Sequence, residues 1–220
     1  IFPIAPLFPK TSNHWLELDL DIDGESFSLN GAAFLNDSLP DALSLIKNLS
    51  PRKLYIPNAV PKGFTSYLGL SIENIQQLED NFKNFSRKTN IPISNIDFSS
   101  ISSVDEMGWV YQNKKKALIF HLKNTENQFP FLSFETEGEK YRSISYYPIK
   151  LPAEIIEMTA QFGEKVNVKW AASLEDYLIF TEEEALMKNI LGNFVDGNTL
   201  ANNIAFEELQ DQLASNSSFL

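Results

Sequence analysis

From Trp15 to Asp23 apolar and acidic positions alternate strictly, Leu16, Leu18, Leu20 and Ile22 against Glu17, Asp19, Asp21 and Asp23. A period of two is that of a strand with one buried face, and here the opposite face is strongly acidic. Asp23-Gly24 offers hairpin turn chemistry into a partner strand, Ser26 to Asn30. Ser38 and Asp41 open a short helix, Ala42 to Leu49, which Pro51 ends. After the proline-rich stretch 57–63, Phe64 to Leu70 reads as a strand, and Ser71 caps a helix whose core face is Ile72, Ile75, Leu78, Phe82 and Phe85.

A run of strands follows: Ile93 to Ile101, Met107 to Gln112, Lys116 to Leu122, Phe131 to Thr136 and Tyr141 to Tyr147, with turns at Asn113-Lys114 and Glu137-Gly138. Short connections between consecutive strands imply antiparallel pairing. Pro152 opens a helix over Ala153 to Phe162. Asp176 to Phe180 is a strand feeding a helix with Thr181 as cap and Glu184 as its reciprocal partner. Leu186, Met187, Ile190, Leu191 and Phe194 form the buried face of that helix, Asp196-Gly197 end it, and a further helix starts near Asn203. Tyr67-Leu-Gly-Leu-Ser71 and Tyr177-Leu-Ile-Phe-Thr181 echo one another, each strand leading to a helix. The fold class expected is α+β, with largely antiparallel sheet and a few capped amphipathic helices packed on one face.

The 220 residues, 43% of them hydrophobic, suffice for a substantial core. Residues 1–12, with three prolines among large apolar side chains, read as a linker from a preceding region. Residues 13–220 read as a single α+β domain, or alternatively as two sheet-sharing halves, 13–105 and 106–220. The first residue is Ile1 and not Met, so the chain reads as an excerpt of a longer one. A net charge of −11 repels a phosphate backbone and an anionic bilayer. Nucleic acid is thereby disfavoured as a partner, and no apolar run is long enough for this segment to contact a membrane by spanning it. The absence of cysteine removes disulfides, thiolate nucleophiles and zinc-thiolate sites.

Several residue groups could carry chemistry, and each has a structural explanation. Asp19-Leu-Asp-Ile-Asp-Gly24 begins like a calcium loop, but the twelfth position is Asn30 where a bidentate glutamate is needed, and the flanking pattern is a strand. His14 reads as a surface residue at a strand entrance, and His121 as a hydrogen-bonded core or edge residue. Glu182, Glu183 and Glu184 occupy a first helical turn, where acids complement the helix dipole. Phe129, Phe131, Phe134, Tyr141, Tyr146 and Tyr147 could form a stacking platform, although aromatics favour strands in any sheet. No nucleophile elbow or phosphate-binding glycine loop occurs. No residue is assigned a catalytic, cofactor-binding or metal role, and no cofactor is expected.

Trp15-Leu-Glu-Leu-Asp19 leading to Leu29-Asn-Gly31, together with Asp176-Tyr-Leu-Ile-Phe180, Gly197-Asn-Thr-Leu-Ala201, Phe206 and the terminal Ser217-Ser-Phe-Leu220, resembles an uncharacterised family of larger bacterial envelope proteins, often lipid-anchored. Members typically place an Asp or Pro after the asparagine where this chain has Asn203-Ile204, which affects only how that helix is capped. The resemblance implies an extracytoplasmic setting, periplasmic or outer-membrane associated, with other envelope proteins as partners. The function expected is a non-enzymatic extracytoplasmic binding or scaffolding module. The alternative is a carboxylate-dependent hydrolase or carbohydrate-active enzyme, which would need neither histidine nor cysteine.

Overall fold

The computed structural model describes residues 14–23, 26–39, 41–50, 52–89, 96–123, 132 and 138–212. The fold is α+β. A two-stranded antiparallel ribbon, β1 (His14–Asp23) and β2 (Ser26–Leu35), precedes a seven-stranded antiparallel sheet. That sheet holds β3 (Ser66–Ser71), β4 (Val104–Gln112), β5 (Lys115–Leu122), β6 (Glu139–Tyr141), β7 (Ile144–Pro148), β8 (Trp170–Leu174) and β9 (Tyr177–Thr181). Their spatial order is β3-β4-β5-β9-β8-β7-β6. One continuous sheet therefore takes strands from both sides of position 105/106, and β4 itself crosses that position.

The helices, expected on one face, lie on both. Helix α1 (Ile75–Thr89) and α2 (Ala153–Thr159) cover the face formed by Leu68, Leu70, Met107, Trp109, Leu118, Phe120, Leu178 and Phe180. Helix α3 (Glu184–Val195) covers Val110, Ala117, Ile119, Tyr177 and Ile179 on the other face, where Phe206 of α4 (Ile204–Gln212) also packs. The reason is visible in the central strands. They are apolar at consecutive positions rather than alternate ones, and a sheet apolar on both faces needs cover on both. As expected, Leu78, Phe82 and Phe85 are the buried row of α1, and Leu186, Met187, Ile190 and Leu191 that of α3.

Local chemistry explains the other departures. Ser71 ends β3, and Asn74 caps α1 instead, its Oδ1 accepting from the amides of Gln76 and Gln77. Thr181 does not cap α3: its hydroxyl donates to the Glu183 carbonyl, and Glu183 occupies the cap position with no side-chain cap bond. Phe98–Ile101 forms a 3-10 turn and not a strand, because Asp97 accepts from the Ser99 amide. Residues 42–46 are likewise a 3-10 turn, with Asp41 accepting from Leu43 N. The strand expected over Tyr141 to Tyr147 is split by Arg142 and Ser143, both at positive φ (49° and 71°), which fold it into the β6–β7 hairpin. Strand β8, with its turn at Glu175 (φ 50°), is an element the alternation did not reveal. The echo of Tyr67–Ser71 in Tyr177–Thr181 holds only for strand followed by helix, since β3 lies at the sheet edge, β9 near its centre, and their helices on opposite faces. The linker 1–12, the strand expected over Phe131 to Thr136 except Leu132, and the aromatics Phe129, Phe131 and Phe134 lie outside the described residues.

Candidate functional site

One row of side chains runs across four strands on the α3 face of the sheet. Counting back from the turn at Asn113 and Lys114 places Glu106 opposite His121, and the neighbouring registers add Ser71 on β3 and Tyr177 on β9. A bulge between Val104 and Glu106 inserts Asp105, so two carboxylates meet one histidine. Asp105 Oδ1 lies 2.6 Å from His121 Nδ1, and both side chains are about nine-tenths enclosed (10% and 11% exposed). The Tyr55 ring stacks on the imidazole at 4.8 Å between centroids, and Tyr177 packs on it at 5.2 Å.

Glu106 is the most unusual group in this row. It is 2% exposed, and both its oxygens are engaged. Oε2 accepts from the amides of Tyr55 (2.6 Å) and Ile56 (3.1 Å), and Oε1 accepts from the Tyr67 hydroxyl at 3.2 Å. Burial pushes its carboxyl up to about 7, against the pull of those donors and of nearby His121. The same burial, with Glu106 beside it, raises the Tyr67 hydroxyl well above its usual value, and burial lifts Tyr177 to about 12. Tyr177 in turn donates to the Tyr55 carbonyl at 3.0 Å.

Gly69 and Gly108 face each other across β3 and β4, and the Tyr67 ring and Ile56 lie over them. A Cβ on Gly108 would stand 2.7 Å from Ile56 Cγ2. Chemically, the arrangement fastens the 55–56 loop to the sheet through a carboxyl that titrates near neutrality. Glu106, with both oxygens occupied and almost no exposure, is placed to hold a proton and not to meet a substrate.

A second region lies at the base of the ribbon. Phe34 and Leu35 of β2 and Leu43, Ile46 and Lys47 line an open groove of about 450 Å³. Asn81 of α1 ties down the 45–47 segment beside it, donating to the carbonyls of Leu45 (3.0 Å) and Lys47 (2.8 Å). His14, expected at the surface, is instead enclosed there: its Nδ1 is 2.8 Å from Asp41 Oδ2, with side chains 3% and 1% exposed. Trp15 and Phe34 sit opposite one another across the ribbon and stand 83% and 56% exposed, while Leu20 and Ile22 are 58% and 67% exposed.

No family model, curated protein or solved structure matches the chain.

The remaining residues singled out in the sequence are dispersed. Asp19 is exposed on β1 opposite Asn30, and no group of three or more metal-ligating side chains gathers among the described residues. Glu182 accepts from Asn167 N, Glu183 pairs with Lys115 at 2.5 Å, and Glu184 pairs with Lys188 at 2.6 Å. Glu184 also meets Glu139 at the Tyr146 hydroxyl, each 2.7 Å from it, and burial with these two carboxylates raises that hydroxyl to about 12. Tyr141 lies under Arg142 and beside Gly192, and Tyr147 beside Gly138. No helix among the described residues is long and apolar enough to cross a membrane.

Proposed function

We propose that the chain is a non-enzymatic binding or scaffolding module working outside the cytoplasm, with other envelope proteins as its partners. The observation that supports this reading is the placement of exposed apolar surface. Of the eight large hydrophobic side chains that stand exposed among the described residues, four (Trp15, Leu20, Ile22 and Phe34) belong to the β1–β2 ribbon. The apolar groove adjoins them, lined partly by Phe34 itself. Clustered exposed apolar groups beside a groove are what a docking surface presents. The extracytoplasmic setting rests on the resemblance of the Trp15–Asp19 and Asp176–Phe180 segments to envelope proteins. The test is capture from envelope extract by the full-length protein, wild type against Trp15→Ser/Phe34→Ser, with folding checked by circular dichroism. Partners held by the wild type and lost by the folded variant are the expected result, and identical capture by both removes the ribbon from the reading.

The convergence of Glu139 and Glu184 on the Tyr146 hydroxyl, 2.7 Å from each, favours the carboxylate hydrolase as second reading, since such an enzyme works with a pair of carboxyl groups. Glycoside turnover abolished by both Glu139→Gln and Glu184→Gln would promote it over the module.

A further inference from the structure

Among the described residues the ribbon has two strands and no third. Among the described residues β1 pairs only with β2, through all ten of its positions, and apart from its base the ribbon has no more than marginal contact with any other named element. Along a paired strand every second residue turns its amide and carbonyl away from its neighbour, so from Trp15 onward β1 has an outer hydrogen-bonding edge that no other described strand pairs with. A two-stranded ribbon alone is marginally stable in water, and a third strand with an apolar face is the usual remedy.

The pattern on β1 restricts what that strand can be. Exposed Glu17 and Asp19 share the Trp15 side, while Leu20 and Ile22 stand exposed on the alternate positions. Charged residues on an edge strand discourage pairing with a like strand. A second copy of β1 laid alongside would put carboxylate beside carboxylate, whereas a strand with cations at those positions would find an opposite charge at each and apolar neighbours between them.

We propose that the outer edge of β1, from Trp15 to Asp23, receives, as a third strand, an extended partner segment in which lysine or arginine alternates with large apolar residues. The proposal rests on the binding-module reading and names the kind of partner. Backbone bonds to the edge supply attachment, and alternate side chains supply selection, as in other cases of strand addition. The acidic row serves two purposes, excluding self-association and attracting the partner.

The probe is a capped ten-residue peptide of alternating lysine and isoleucine, titrated into the full chain by calorimetry with hydrogen exchange on the complex. Two control peptides carry glutamate for lysine, or proline at alternate positions so that ladder amides are missing. The lysine peptide should bind, protect β1 amides from exchange and weaken as salt rises. The glutamate and proline peptides should bind at least about tenfold more weakly, and Glu17→Lys/Asp19→Lys should reverse the preference between lysine and glutamate. Equal binding of the lysine and glutamate peptides, binding that leaves β1 amides unprotected, or a dimer of the free chain with protected β1 amides would each overturn the proposal. Failure of the lysine peptide while capture through Trp15 and Phe34 persists would sink the third strand and leave the module standing. Loss of both would sink both.

Discussion

Replacing Glu106 by glutamine tests the reading of the polar row most directly. The carboxyl rises from its ordinary 4.5 to about 7 because burial opposes its charge more than Tyr55, Ile56 and Tyr67 favour it. The folded chain thus holds this proton more tightly than the unfolded chain. The resulting stability is complete below pH 4.5 and is lost as pH rises to about 7. At about 1.36 kcal/mol per pH unit the loss is on the order of 3 kcal/mol, a large fraction of a typical domain's stability. Glutamine keeps a carbonyl oxygen to accept from the Tyr55 and Ile56 amides but carries no charge at any pH. Urea unfolding followed by tryptophan fluorescence, with Trp109 buried in the same sheet (1% exposed), should be measured between pH 4.5 and 8. Subtracting wild type from Glu106→Gln cancels the groups the two proteins share. The difference should climb by about 3 kcal/mol in favour of the variant across that window. A flat difference, or one moving the other way, would refute the account of a buried, proton-holding carboxyl.

Further tests probe packing and the groove. Gly108→Ala should destabilise by about 1 to 3 kcal/mol in urea melts, because the new Cβ collides with Ile56, and trimming Ile56 to alanine should relieve part of the added loss. Asn81→Ala strands a buried carbonyl at Leu45 and a half-buried one at Lys47 and should cost about 1 to 3 kcal/mol, with faster amide exchange over residues 43–47. Leu186→Ala should cost on the order of 2 to 5 kcal/mol by thermal and urea melts, from the cavity it leaves under α3. Thr181→Ala should cost only about 1 kcal/mol, through its lost bond to the Glu183 carbonyl.

Much of the architecture was legible because it depends on near neighbours. The alternation over Trp15–Asp23 gives β1, the spacing of Leu78, Phe82 and Phe85 gives the buried row of α1, and Asn113-Lys114 fixes the β4–β5 register. Where local backbone chemistry competes with the pattern, the reading fails: Asp97 winds 98–101 into a turn, and the positive φ of Arg142 and Ser143 folds the expected strand 141–147 back on itself. The polar row was hidden for another reason. Glu106 stands just before the apolar run of β4, and nothing local marks it as buried. Its surroundings come from Tyr55, Tyr67, His121 and Tyr177, spread over more than a hundred positions. A partial signal existed, since the Asn113-Lys114 turn sets Glu106 opposite His121 by counting alone. The expectation for His121, a hydrogen-bonded core or edge residue, agrees with its bond to Asp105.

The position of β5 has a consequence for how the chain is made. Strands β3, β4 and β5 can assemble as soon as they leave the ribosome, but the other neighbour of β5 is β9, and residues 123–176 separate the two. Until β9 is synthesised, a strand destined for the middle of the sheet, reading Ala117-Leu-Ile-Phe-His-Leu122, offers an unpaired edge to any passing chain. Pairings between distant segments form slowly, and an exposed apolar strand invites aggregation while they wait. The interval between β5 and β9 is therefore the vulnerable period in the birth of this protein, and a chaperone that shields β5 during it would raise the yield of folded chain.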